Sequence, residues 1–156
     1  MIQLGRKNNV SYIIRALRSN NVLPLLEWLK KNTTTFYKIG WAYFNNDDEI
    51  ELVFLKTTLH ACENVDQLAD SSHFERWLIN IYLEISEKDQ TVDRKSDSNL
   101  KMKELLTVLD STTRKMIVLR EYGNYSFQHI ANILDVSEFK VKSNIYKGLK
   151  YINTCY

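Results

Sequence analysis

Lys140, Lys142, Lys147 and Lys150 crowd one short stretch near the end of the chain, with Phe139, Ser143 and Tyr146 between them. Ammonium groups bind phosphates or guanine, and a serine hydroxyl bonds a base edge. At 100° per residue, Val141, Ile145, Leu149 and Ile152 fall within about 80° of one another and face inward. Phe139, Lys140, Ser143, Tyr146, Lys147 and Lys150 then share the outer side. Such a face suits a helix laid in a major groove.

The stretch before it supplies what a helix-turn-helix requires. Ala131 is small enough for a close crossing, and Asp135 tolerates a left-handed turn. Ile130, Leu134 and Val136 pin the pair, and Ser126 and Ser137 stand where N-caps belong. Gln128 and His129, on the first of the two helices, are placed to touch a DNA backbone. A lysine-rich solvated face is common by itself. The crossing residue, the turn and the caps tip the reading to DNA.

Other chemistries find little support. No nucleophile elbow, phosphate loop or zinc-protease pattern occurs, so no enzyme is expected, nor a cofactor or small-molecule substrate. Cys62 and Cys155 form no disulfide framework, and His60, His73 and His129 are too dispersed for a metal site. No apolar run reaches membrane-spanning length, and "MIQLGRKNNV" lacks the apolar core of a signal peptide. The expectation is a reduced, cytoplasmic protein.

The elements that position these residues read as all-α. One proline and four glycines in 156 residues leave long helical runs, and 44% hydrophobic content allows a sizeable core. The spacing predicts helices in "VSYIIRALRSNN", with Ile13, Ile14 and Leu17 inward, and in "LPLLEWLKKN", with Leu25, Leu26, Trp28 and Leu29 inward. Another runs through "TTTFYKIGWAYFNN" to Asn45–Asn46. "DDEIELVFLKTTLHACENV" opens on acids that favour a helix N-terminus. "SSHFERWLINIYLEI" opens on Ser72 and Glu75 at capping-box spacing, and Trp77 reads as core rather than as a base-stacking platform. "SEKDQTVDRKSDSN" is polar and nearly free of apolar residues and predicts a linker. The expected organisation is two small helical domains, 1–85 and 100–156, joined by a linker over 86–99. Net charge is −1 before residue 86 and +3 from there on, so the basic part coincides with the two-helix pattern.

With these residues in place, the chain resembles the extracytoplasmic-function sigma factors, two-domain initiation subunits of bacterial RNA polymerase. "LLTVLDSTTRKMIVLREYGNYSFQHIANILDVSEFKVKSNIYKGLKYI" is similar to region 4, with Arg114, Ile117, Leu119, Ile130, Ala131, Val141, Lys142, Ser143 and Lys147 at matching positions. "SYIIRALRSNNVLPLLEWLKKNTTTFYKIGWAYFNNDDEIELVF" and "LADSSHFERWLINI" are similar to region 2, with Phe74, Trp77, Leu78 and Ile81 in place. The resemblance implies core RNA polymerase and promoter DNA as partners, and an anti-sigma factor as a further one. It places minus-thirty-five contacts at Ser126, Gln128, Lys140, Lys142, Ser143, Asn144 and Lys147. It places polymerase docking at Asp48, Glu51, Leu52 and Leu55, and minus-ten contacts at Arg76, Asn80 and Lys88. "VDQLADSS" corresponds to the loop that captures a flipped base. The chain departs from the family's pattern at Leu52 and Leu55, which replace an acid and an amide, and at Asn144, which replaces a frequent arginine. The basic strip near the minus-ten site thins to Lys88, Arg94 and Lys95. An alternative is therefore a sigma-like DNA-binding regulator that does not melt promoters.

Overall fold

The computed structural model of the chain describes residues 2–68, 70–90 and 106–154, with side chains in the first helix from Val10 onward. The elements are α-helices with short 3₁₀ and π segments joined by turns and loops, and no strand occurs among the described residues. The all-α expectation holds.

Helix α1 (Ile2–Arg18) buries Ile13, Ile14 and Leu17. It ends where Asn20 adopts a left-handed φ of 60°. Asn20 N then donates to Leu17 O, and Asn21 N to Ala16 O at 2.8 Å, which satisfies two orphan carbonyls of the last turn. Helix α2 (Leu23–Lys31) carries Pro24 in its first turn, where a missing N–H costs nothing. Leu25 and Leu29 are buried, whereas Leu26, expected inward, turns 37% of its surface to solvent. Trp28 sits edge-on to Phe74 at 5.3 Å.

Helix α3 (Thr33–Gly40) stops five residues short of the expected Asn45. A methyl group added at Gly40 would lie 2.7 Å from the Tyr82 hydroxyl. That hydroxyl donates to Phe36 O at 2.8 Å, so the bare backbone lets the helix that carries Tyr82 come close. The residues beyond Gly40 form turns but remain core, with Ala42, Tyr43 and Phe44 buried. Helix α4 (Asp47–Asn64) starts as its acids suggest, with Asn46 Oδ1 accepting from Glu49 N at 2.9 Å.

Helix α5 (Phe74–Asp89) follows a 3₁₀ turn at Ser71–His73. The capping box from Ser72 to Glu75 does not form, because Asp70 Oδ1 takes the Ser72 N–H at 3.0 Å and has already started the turn. Leu78, Ile79, Tyr82 and Leu83 are fully or almost fully buried. Trp77 is half-buried against Phe74, in keeping with a core role. The helix continues through Ser86, itself buried, to Asp89, whose carboxylate receives the Lys56 ammonium from α4. Ser86–Asp89, expected as the start of the linker, thus close a helix, and 91–105 lie outside the described residues.

After this gap, α6 (Ser111–Ile117) is capped by Asp110, whose carboxylate accepts from Thr113 N at 3.2 Å. A side-chain hydrogen bond with Thr113, joined by this backbone bond, holds Asp110 below the usual carboxylate range. The helix widens into a π-turn at Val118–Tyr122. Helices α7 (Phe127–Leu134) and α8 (Glu138–Thr154) complete the chain. The two halves are packed on each other, α5 against α7 and α3 against the π-turn.

Candidate nucleic-acid interface

The pair α7–α8 is built from local chemistry. Ser126 Oγ accepts from His129 N at 3.1 Å, and Ser137 Oγ from Lys140 N at 3.1 Å, so both serines act as caps. Asp135 takes the left-handed conformation, φ 55°, and Val136 N donates to Ala131 O at 3.0 Å. This closes α7 as the Asn pair closes α1. Ahead of α7, the Arg120 guanidinium lies 4.2 Å over the Phe127 ring and donates to Tyr125 O at 3.0 Å. Burial among these groups pushes the Tyr125 phenol up to about 12. At Gly148, α8 crosses α6 so closely that an added methyl would meet Ile117 and Thr113 at 2.9 Å.

Val141, Ile145, Gly148 and Ile152 form the buried stripe of α8. Lys140, Lys147 and Lys150 are exposed, as are Phe139 at 80% and Tyr146 at 68%. The helical arithmetic therefore identifies the outer face. Ser126 and Gln128 are exposed, with Ser126 occupied in its cap, and Ser143 and Asn144 are half-buried. Lys142 is exposed but engaged: its ammonium is 3.2 Å from Glu138 and 5.7 Å from the Phe127 ring centre. The cations available to phosphate on α8 are thus Lys140, Lys147 and Lys150 rather than Lys142.

Asp48, Glu51, Leu52 and Leu55 are all exposed on α4. Glu51 accepts from the Tyr37 hydroxyl at 3.0 Å. Leu52 and Leu55 are 50% and 55% exposed, and Leu59 extends the row at 52%. Leu59 escaped the sequence reading although it stands seven residues after Leu52, within reach of the same 3.6-residue period. Three neighbouring leucines on one helix face form an apolar strip of the kind that marks a protein interface.

The minus-ten candidates fare differently. Lys88 is exposed, and Arg76 Nη2 lies 3.3 Å from His73 Nδ1. Asn80 Nδ2 donates to Ile133 O on α7 at 2.7 Å and to Arg76 O at 2.8 Å, so its amide joins the two halves. Arg94 and Lys95 lie outside the described residues. In "VDQLADSS", Val65 and Leu68 are buried, while Asp66, Gln67, Asp70, Ser71 and Ser72 are exposed.

Around Asn80 the halves are clasped by charge. Arg114 Nε donates to Glu87 at 2.8 Å, and both side chains are only about a tenth exposed. The same guanidinium donates to Leu106 O and Leu109 O, and Ser111 Oγ donates to the second oxygen of Glu87. Lys115 donates to Glu84 at 2.8 Å, which holds the Glu84 carboxyl below its ordinary range. Nothing in the residue spacing revealed this clasp, because its partners lie 24 to 31 positions apart on either side of 91–105.

Among the described residues the chain is all helical and carries a capped helix-turn-helix with exposed lysines along its outer face, the form of a DNA-binding pair. Residues 99–152 match the family model of sigma-70 region 4. Over nearly its whole length the fold is similar to one seen in the structure of CnrH in complex with the cytosolic domain of CnrY. The likeness covers 94% of this chain and 96% of that one, at 17% identity and a TM-score of 0.69. No curated protein matches the chain by sequence. The sigma-factor resemblance drawn from the residues is borne out over 99–152, where the sequence matches region 4, and the likeness over the rest of the chain is one of fold.

Proposed function

We propose that this chain is a sigma factor of the extracytoplasmic-function type, which binds core RNA polymerase and directs it to promoters. The observation that carries the reading is the region 4 match falling on a helix-turn-helix whose outer face keeps Lys140 and Lys147 free. The shared fold with CnrH extends that support to the first half. In this reading α8 contacts the minus-thirty-five element, with Ser126 and Gln128 at its edge. Leu52 and Leu55 dock on polymerase beside Asp48 and Glu51, and Arg76, Asn80 and Lys88 serve the minus-ten side. CnrH was solved in complex with the cytosolic domain of CnrY, and a protein partner, an anti-sigma factor, is proposed here.

Run-off transcription with purified core enzyme, set beside gel shifts of the chain alone, tests this function. The expected result is specific transcripts with core and only weak, unselective shifts without it. A second reading, a sigma-like regulator that does not melt promoters, is favoured by the engagement of Asn80 with Ile133. It expects a specific shift by the isolated chain and no transcript with core.

A further inference from the structure

We propose that Phe139 is a specificity residue that reads the methyl group of a thymine in the major groove. The inference rests on α8 being the DNA-contacting helix. Phe139 is the second residue of α8, and residues at the N-terminus of a recognition helix are the ones that reach base edges. It shares the outer face with Ser143, Tyr146 and Lys150, on the side away from buried Val141 and Ile145. At 80% exposure it is the most exposed large hydrophobic residue described. A phenyl ring offers no donor or acceptor, so it cannot hold a phosphate or pair with a base edge. Thymine is the one base whose groove edge presents an apolar group, its C5 methyl, and phenylalanine is among the side chains that contact it. The next residue, Lys140, is free to hold an adjacent phosphate and so to press the ring against the groove floor. Tyr146 shares this row two turns on, but its hydroxyl gives it polar options that Phe139 lacks.

The test uses the full chain bound to core polymerase and the duplex that this complex selects from a random-sequence pool. Each thymine is replaced in turn by deoxyuridine, which removes only the methyl. Removal at one position should weaken binding about three- to fivefold, the scale of one buried methyl. In Phe139→Ala the same replacement should have no effect, while Phe139→Leu should keep part of it. Because Phe139 is exposed, both variants should melt as the parent does. If no thymine is sensitive, or if Phe139→Ala stays as sensitive as the parent, the proposal is overturned. It is equally overturned if Phe139→Ala weakens polymerase binding and leaves DNA selection untouched. A Lys140→Ala/Lys147→Ala double variant separates the layers. Unchanged DNA binding in that variant removes α8 from DNA altogether, whereas weakened binding without thymine sensitivity removes only the role of Phe139.

Discussion

Lys140 and Lys147 differ from Lys142 in one respect, the carboxylate beside the latter. Each phosphate neutralised by a lysine releases counterions and adds about one to the salt slope of DNA binding. Lys140→Ala and Lys147→Ala should each weaken binding and flatten that slope by about one. Lys142→Ala should change it less, since Glu138 already competes for its ammonium. Titrations over a range of salt concentrations measure all three. The leucines of α4 make a second case. Exposed as they are, Leu52→Ala and Leu55→Ala should leave the melting temperature nearly unchanged. The same changes should cost roughly 1–3 kcal/mol of binding to core polymerase. A drop in melting temperature with undiminished affinity would return both leucines to the fold and remove them from the interface.

Helix α8 shows what an element inherits from its sequence and what it does not. Its buried stripe, its Ser137 cap and the left-handed Asp135 before it were legible because each depends on residues within one or two turns. Gly148 was not, since a glycine in a helix reads as a weak point until the crossing helix is known. There it permits contact with α6, and Gly148→Ala should destabilise the chain by about 1–3 kcal/mol through overpacking against Ile117 and Thr113. Thermal melting measures this. A stabilised variant would mean that the crossing relaxes freely. Helix α5 gave the opposite lesson. Its polar final turn reads as linker, yet Lys56 fixes Asp89 and the interior takes Ser86, both long-range effects that local composition cannot report. Asn80 and Glu87 likewise look like ordinary surface residues until α7 and α6 arrive beside them.

At the scale of the molecule, the contact between the halves is where charge matters most. Removing one partner of a mostly buried ion pair leaves the other uncompensated, so Arg114→Ala should cost about 3 kcal/mol. A paired apolar replacement of Glu87 and Arg114 should cost less, and denaturant titrations compare the two. Glu84 and Asp110 have lowered carboxyl pKa values, the first through its bond from Lys115 and the second through its side-chain bond with Thr113. A lowered folded-state value contributes stability that is complete above the unfolded value and fades as pH falls through the folded one. Acidification below about pH 4 should therefore loosen the chain, with little change on either side of neutrality from these two groups. Lys115→Gln should lessen that acid sensitivity. The bond from Asn80 to Ile133 O carries a consequence for kinetics. An amide already committed to α7 must leave it before it can reach DNA, so engagement of this side chain starts with a unimolecular step. As promoter concentration rises, the rate of that engagement should level off at the speed of separation instead of climbing in proportion. Affinity is then reduced by the fraction of molecules already apart. Asn80→Asp, which puts a carboxylate against the Ile133 carbonyl, should raise the plateau in stopped-flow measurements, and a plateau unmoved by this change would mean that the step lies elsewhere.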